Sequence, residues 1–365
     1  MSVFICHYGG GKQSPYGLIR LAAEGTQFGW AGVSLFFVLS GFLISGILWE
    51  GFEQNDWWRR FYWRRSLRIF PLYYFALSIA FLPAIWLAGH RWPLESIWPF
   101  LVYLQNTPCF YSILGRFPNY AALSHFWSLA VEEQFYLIWP FLLVWRRGSN
   151  LRTRQMCLLL WAMSLSFRVV VLSVGIRENW AIGFLAGRAG ELAMGAYLAL
   201  AIRDAGMKVI VLRYARPVFM ASLLAILTII IWTRTTDALT FPMATMGIAI
   251  NAVLFASLIA LCLQPGVAAY LFSMQWLRWL GKISYGIYVY HVLLYSLFQW
   301  LVYRFFPGLG HNGHLLVLAG VAAAGTLIVA SLSFYGFESP ILKLYKTPRQ
   351  VPPQAVGIPL SPECG

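Results

Sequence analysis

The sequence predicts an all-α integral membrane protein of about ten transmembrane helices in one bundle. Of its 365 residues, 59% are hydrophobic and only 11% are charged, whereas soluble domains carry roughly 25% charged residues. Its apolar residues, including 17 Trp and 27 Phe, fall in runs close to the roughly 20 residues that cross a bilayer. A soluble chain of this size could not bury so much apolar surface, so the composition indicates a multi-pass membrane protein.

Ten apolar stretches are candidate spans. In chain order they cover residues 29–49, 71–89, 95–107, 123–145, 155–175, 180–201, 211–232, 241–263, 284–305 and 315–337. Backbone polar groups inside lipid must be bonded internally, so we expect these spans to be helices. The alternating pattern of a membrane barrel strand is not seen in the sequence. Residues Met1 to Tyr8 resemble the end of one more helix, which predicts that the first helix is truncated.

The net charge of +14 comes from basic clusters between the apolar runs. This placement is typical of cytoplasmic loops that face anionic lipid, and it argues against nucleic-acid binding. The clusters lie at 59–68, 146–154, 203–216 and 278–282, and the basic residues at 343–349 put the C-terminus on the same side. If 95–107 and 123–145 both cross, however, Arg146 falls outside. The alternative is that 95–107 is re-entrant, because it is short and begins at Glu95.

The domain organisation predicted is a single membrane domain over 1–346 followed by a Pro-rich cytoplasmic tail over 347–365, which we expect to be disordered. The five cysteines are scattered, and no two have the spacing of metal ligands. No metal is therefore expected.

The densest polar string lies between Ser124 and Pro140. At 100° per residue one helix face carries His125, Ser128, Glu132 and Tyr136, while Glu133 points about a quarter-turn away. Ionisable groups in a bilayer are costly and mark functional sites by default. Two interpretations remain open: a place in a catalytic site, or packing against arginines of neighbouring helices.

The segment from Arg64 to Tyr73 is interpreted as a basic loop that ends where a helix begins, with Pro71 in its first turn. Its arginines are either ordinary cytoplasmic charge or a clamp for the phosphates of a nucleotide-bearing donor.

Three further patterns are read from spacing. Ser40 lacks the surroundings of a nucleophile elbow, so packing is favoured for it. Arg188 and Glu191 have the spacing of an intrahelical ion pair. Near the end of the chain, one helix face carries Ser284, Tyr288 and His291, the last either a core or a site residue.

Several strings taken together resemble the acyltransferase-3 family of bacterial membrane O-acyltransferases, which acts on O-antigen, Nod factors and macrolides. They occur in the family's order and cover almost the whole chain. The strings are FFVLSGFLI at 36–44, RRSLRIFPLYY at 64–74, FWSLAVEEQFYLIWP at 126–140, RAGELAMGAYLAL at 188–200, GKISYGIYVYH at 281–291 and FESP at 337–340. The string at 126–140 is the most specific of them.

The resemblance implies transfer of an acyl group, usually acetyl, from acyl-CoA to a hydroxyl of a carbohydrate or glycolipid, in the bacterial inner membrane. It implies His7 as the catalytic base and Glu132 and Glu133 as its acidic partners. The basic segment then supplies Arg65 and Arg68 to bind the donor. The family's first helix carries an arginine about three turns before the histidine, and the sequence starts too close to His7 to include it.

Two other classes of function stay open at this stage. A proton-coupled transporter or flippase would also use intramembrane carboxylates such as Glu132 and Glu133, although the broken repeats of many transporters are not evident. A catalytically inactive homologue would bind the donor without turning it over.

Overall fold

The computed structural model describes residues 28–87, 97–107, 120–146, 149–176 and 178–344, and every regular element within these ranges is helical. His7, the predicted truncated first helix and the predicted tail at 347–365 lie outside the described residues. The boundary between the predicted membrane domain and its tail therefore stays a prediction.

The first half of the described chain contains four long helices, two four-residue helices and two 3₁₀ turns. They are α1 (Ala31–Gly51, preceded by a 3₁₀ turn at Phe28–Trp30), α2 (Trp57–Leu87), α3 (Trp98–Leu101), α4 (Tyr120–Leu123, followed by a 3₁₀ turn at Ser124–Phe126), α5 (Trp127–Arg146) and α6 (Asn150–Ser173).

The second half contains broken helices and two π-helical turns. Its elements are α7 (Glu178–Gly183), α8 (Leu185–Ala201), α9 (Ala205–Thr233), a π turn (Met243–Gly247) leading into α10 (Ile248–Cys262), α11 (Val267–Ser273), α12 (Gln275–Leu293), α13 (Tyr295–Phe305), α14 (His311–Ser333), a second π turn (Phe334–Glu338) and α15 (Ser339–Lys343).

Five of the described helices are long and apolar enough to cross a membrane by length and composition. They cover Phe28–Gly51, Asn150–Ser173, Ala205–Thr233, Met243–Cys262 and His311–Lys343. The all-helical membrane fold is thus supported, while the predicted number of about ten spans is not established. The predicted spans 180–201 and 284–305 are each broken, at Phe184 and at Leu294.

The predicted basic loop before residue 71 is wrong, because α2 begins at Trp57 and Pro71 lies inside it. The helix extends through the arginines because Phe61 and Ile69 are buried in the bundle, and their burial outweighs the polar residues around them. Arg65 and Arg68 are consequently one helical turn apart on a continuous helix, which fixes their spacing.

The segment 97–107 does not cross the bundle, since its only helix is the four-residue α3. Four residues of helix span about 6 Å, far less than a bilayer. This favours the re-entrant alternative. Non-helical backbone at membrane depth is tolerated only where protein groups satisfy it, and here Tyr73 donates a hydrogen bond to the Phe100 carbonyl (2.7 Å) and Tyr74 one to the Leu101 carbonyl (2.9 Å).

Ion pairs and hydrogen bonds identify the two ends of the bundle. At one end Arg203 pairs with Glu50 (2.5 Å) and Arg154 pairs with Asp204 (3.2 Å). At the other end the Trp30 indole donates to the Thr236 carbonyl (2.8 Å). Helix α1 therefore runs from the Trp30 end to the end that carries the basic clusters around residues 154 and 203, as the distribution of charge predicts.

Helices α1 and α8 approach closely enough for their backbones to touch. A Cβ atom added at Gly41 would lie 1.9 Å from the Leu192 carbonyl oxygen, and one added at Gly195 would lie 1.9 Å from the Val38 carbonyl oxygen. Small residues permit such contacts between membrane helices, where dispersion forces rather than water exclusion hold the helices together. This contact fixes the position of α1, which carries Ser40.

Candidate active site

A cavity of about 530 Å³ lies between α1, α2, α5 and α12. Its volume falls within the range of small-molecule sites, which combine apolar walls with a few polar groups. Polar side chains from all four helices line it: Ser40, Arg65, Arg68, Glu132, Ser284, Tyr285, Tyr288 and His291. The cavity thus brings together candidate site residues that are far apart in the sequence, including Ser284, Tyr288 and His291 of the helix face near the end of the chain.

Glu132 is the centre of a buried hydrogen-bonded cluster in the wall of this cavity. Its Oε1 accepts a hydrogen bond from Ser40 Oγ (2.6 Å) and pairs with Arg65 Nη2 (3.0 Å). Ser40 also hydrogen-bonds the Tyr136 hydroxyl, and the Arg65 guanidinium lies over the Tyr136 ring, 4.0 Å from its centroid. Glu132 is 3% exposed, so the carboxylate is held by charge and hydrogen bonds where a bilayer would otherwise exclude it.

The two arginines of α2 that line the cavity have different surroundings. Arg65 is largely buried and shares its charge with Glu132. Arg68 is exposed at the cavity and forms no ion pair with any residue that the structure describes. Arg68 therefore presents an exposed guanidinium to the cavity, within electrostatic reach of Glu132 and Glu338.

Tyr288 connects the cavity to the start of α5. Its hydroxyl donates to the His125 carbonyl and hydrogen-bonds Ser128 Oγ (2.6 Å). The His125 ring lies edge-on to the His291 ring, with centroids 5.0 Å apart, and the His291 Nδ1 bonds the Tyr288 carbonyl (2.7 Å). Both imidazoles are buried, at 5% and 1% exposure.

The helix face predicted from spacing is buried as a unit. His125, Ser128, Glu132 and Tyr136 are all at most 5% exposed, and their partners lie on α1, α2 and α12. The pair of Glu132 with Arg65 agrees with the packing interpretation. Glu132 also lines the cavity, and its place in a catalytic site stays a prediction.

Glu133 lies beside the cavity and is not among its lining residues. The next residue, Gln134, donates to the Tyr103 carbonyl (2.8 Å) and to Asn106 Oδ1 (2.7 Å). Asn106 in turn donates to the Gly183 carbonyl (3.2 Å), at the break before α8. These bonds fasten the re-entrant segment to α5 next to Glu133, with Tyr103 in the left-handed region at φ 57°.

A second buried charged cluster lies on α6 and α8. Arg188 pairs with Glu191 (3.1 Å), as their spacing predicted. Arg168 donates to the carbonyls of Gly187 (2.5 Å) and Thr245 (3.2 Å), the latter in the π turn before α10. These bonds join α6 to the first turn of α8 and to the π turn, so a structural role accounts for the cluster.

None of the described residues forms a group of three or more His, Cys, Asp or Glu side chains with the geometry of a metal site. The polar groups of the cavity instead suit an organic anion, since a guanidinium matches phosphate oxygens.

Comparison with known protein families decides the class of the chain. A profile described as an acyltransferase domain matches residues 1–335. The chain belongs to the acyltransferase-3 family. The resemblance carried by the strings at 36–44 and 126–140 is thereby confirmed, and so is the presence of an acyltransferase domain. Members of this family are multi-pass membrane proteins, in agreement with the apolar helices.

Three relatives show how far the similarity to other proteins extends. The chain is 31% identical over 350 residues to peptidoglycan O-acetyltransferase OatA of Listeria monocytogenes, covering 89% of this chain and 54% of the relative. It is 26% identical over 332 residues to nodulation protein 10 of Rhizobium leguminosarum bv. viciae, covering 87% and 83%. O-acetyltransferase OatA of Staphylococcus aureus is 30% identical over 133 residues, covering 34% and 21%.

The chain spans about half the length of the peptidoglycan O-acetyltransferase relative. No solved structure matches it.

Ser40, Phe36 and Tyr285 line the cavity of this acyltransferase-3 chain and were not identified as site candidates from the sequence. Ser40 was interpreted as packing, yet it donates to Glu132. Phe36 carried no polar signal, yet it lines the cavity. A clue for Ser40 was available, since a hydroxyl within an apolar helix needs a partner, but the sequence does not show which partner it finds. The predicted base His7 lies outside the described residues, so its relation to the cavity stays a prediction.

Proposed function

We propose that this chain transfers an acetyl group from acetyl-CoA to a hydroxyl of a cell-envelope glycan, in the bacterial inner membrane. The observation that carries the proposal is a cavity within an acyltransferase-3 bundle, lined by Arg65, Arg68 and Glu132. Two relatives are named as O-acetyltransferases, which supports acetyl as the transferred group. One of them is named for peptidoglycan, which supports a glycan as the acceptor.

The donor would bind with its phosphates at Arg68 and its thioester inside the cavity. Arg68 is suited to phosphate because it is exposed at the cavity and forms no salt bridge with a described residue, while Arg65 is paired with Glu132 and adds a weaker attraction. The apolar walls supplied by Leu39, Leu43 and Leu129 fit the uncharged arm of the donor.

In the proposed reaction His7 removes the proton of the acceptor hydroxyl, with Glu132 or Glu133 orienting the base. The hydroxyl oxygen attacks the thioester carbonyl and forms an ester, the carbon–sulfur bond breaks, and coenzyme A leaves as the thiol once its sulfur takes a proton. Glu132, held by Arg65 and Ser40, is a fixed charge in the cavity wall that suits a positioning role.

The test is acetyl transfer by the purified protein in lipid nanodiscs, with labelled acetyl-CoA and glycan fragments, beside mass spectrometry of envelope glycans from cells with and without the gene. We expect one acetyl increment per modified sugar, lost without the gene and lost in a His7→Ala variant that is still made and inserted. Glycans unchanged by loss of the gene, together with no transfer in nanodiscs, would refute the proposal. Uptake of labelled substrate by sealed vesicles would instead identify a transporter.

Replacing Arg68 should weaken donor binding without changing the chemical step. In Arg68→Gln we expect KM for acetyl-CoA to rise about tenfold or more, because one charge-assisted contact to phosphate is lost, while kcat changes little. S-acetyl-pantetheine, which lacks the nucleotide phosphates, should show no such penalty.

The matched control for this prediction is Arg59→Gln, on the same helix and exposed but outside the cavity. Its KM should stay at the wild-type value. An equal penalty for both donors in Arg68→Gln would place the phosphates elsewhere.

A further inference from the structure

Two aromatic rings stack against each other in the wall of the cavity. Phe36 of α1 and Tyr288 of α12 both line it, and their ring planes are parallel within 7° with centroids 6.4 Å apart. Rings at this distance are offset-stacked and leave no room between them, so the pair presents one continuous apolar wall to a group beside it.

Along α1 the pair lies one helical turn beyond Ser40. On α1 the lining runs from Leu43 past Ser40 and Phe36 to Gly32, and on α12 it runs from Gly281 past Tyr288 to His291. Leu43 and Phe36, like Gly281 and Tyr288, are seven residues apart, about 10 Å of helix. His291 lies about one further turn beyond the pair. The rings therefore stand between the section with Ser40 and Glu132 and the section with His291.

One ring of the pair is held by hydrogen bonds and the other is not. The Tyr288 hydroxyl is held by Ser128 and by the His125 carbonyl, so its ring cannot turn without breaking buried hydrogen bonds. Phe36 carries no polar atom and is 38% exposed. The space beside the pair is therefore set mainly by the size of the residue at position 36.

We propose that Phe36, packed against the fixed ring of Tyr288, selects the length of the acyl chain that the enzyme transfers. This inference rests on the proposed function. With the donor's phosphates at Arg68, its arm runs along the cavity and delivers the thioester to the aromatic pair. The acyl group packs against the two rings and against Leu39, and a chain longer than acetyl collides with Phe36.

The test compares acetyl-CoA with butyryl-CoA as donors in nanodiscs. In Phe36→Ala we expect kcat/KM for butyryl-CoA relative to acetyl-CoA to rise about tenfold or more, since discrimination by one or two methylenes in an apolar pocket is of this size. Phe36→Leu, which keeps the apolar wall and is the variant to use if Phe36→Ala does not fold, should give a smaller rise in the same direction.

Phe42→Ala is the matched control. Phe42 lies on the same helix but packs with Val38 and Met194 away from the cavity, so the donor ratio should equal that of the wild type. A donor ratio unchanged in both Phe36 variants would overturn the inference while acetyl transfer by the wild type still upholds the proposed function. Absence of transfer from either donor in the wild type would refute the proposed function itself.

Discussion

Replacing Glu132 with alanine should nearly abolish acetyl transfer and destabilise the bundle. The change leaves the buried Arg65 guanidinium without its partner at 3.0 Å and Ser40 without its acceptor at 2.6 Å. Removing one member of a buried ion pair costs about 3–5 kcal/mol, and we expect the lower end because Arg65 is 20% exposed. Since the cavity wall also shifts, transfer should fall about a hundredfold or more.

A double-mutant cycle separates the charge from the packing. Glu132→Gln keeps the shape and an acceptor for Ser40 but leaves Arg65 unneutralised, and Arg65→Gln leaves Glu132 as the unpaired charge. The double variant buries no charge at this position, so its midpoint of thermal unfolding in detergent should lie above that of either single variant. Strictly additive losses in the double variant would show that Arg65 and Glu132 are not coupled.

Activity in the double variant then tests whether Glu132 does more than neutralise Arg65. If the carboxylate also positions the acceptor or its base, the double variant regains stability but not transfer. Recovery of both would restrict Glu132 to a structural role, and Glu133 would remain the candidate acidic partner of His7.

The sequence was sufficient to predict the polar face of α5, because helical periodicity alone brings Ser128, Glu132 and Tyr136 to one side. His125, predicted on the same face, lies in the 3₁₀ turn that precedes the helix. The rarity of carboxylates in lipid then identified Glu132 as a residue that needs a partner. The pair of Arg188 and Glu191 was predictable for the same reason, since three residues of helix bring both side chains together.

Features that depend on packing between distant segments could not be predicted. The start of α2 at Trp57 follows from burial of Phe61 and Ile69, which a basic composition conceals. The short α3 is stable at membrane depth because Tyr73 and Tyr74 bond its carbonyls from another helix. Likewise, nothing in the string at 281–291 shows that Tyr288 faces Phe36.

The contact between α1 and α8 is the other position where a single change should have a large effect. A methyl group at residue 195 would overlap the Val38 carbonyl oxygen at 1.9 Å, and backbone atoms cannot move aside as a side chain does. In Gly195→Ala the helices must separate, at a cost of about 3 kcal/mol or more. Because α1 carries Ser40, Phe36 and Leu43, the separation also distorts the cavity.

We therefore expect Gly195→Ala to lower the yield of monodisperse protein, to lower its unfolding midpoint and to reduce transfer by at least tenfold. Gly41→Ala should behave similarly, because its new methyl group would meet the Leu192 carbonyl in the same interface.

The control is Gly320→Ala in α14, where no atom lies within 4 Å of the added carbon. That variant should be as stable as the wild type or up to about 1 kcal/mol more stable, since alanine favours helix over glycine. If Gly195→Ala unfolded at the same midpoint as Gly320→Ala, backbone contact between α1 and α8 would not be what holds the cavity in shape.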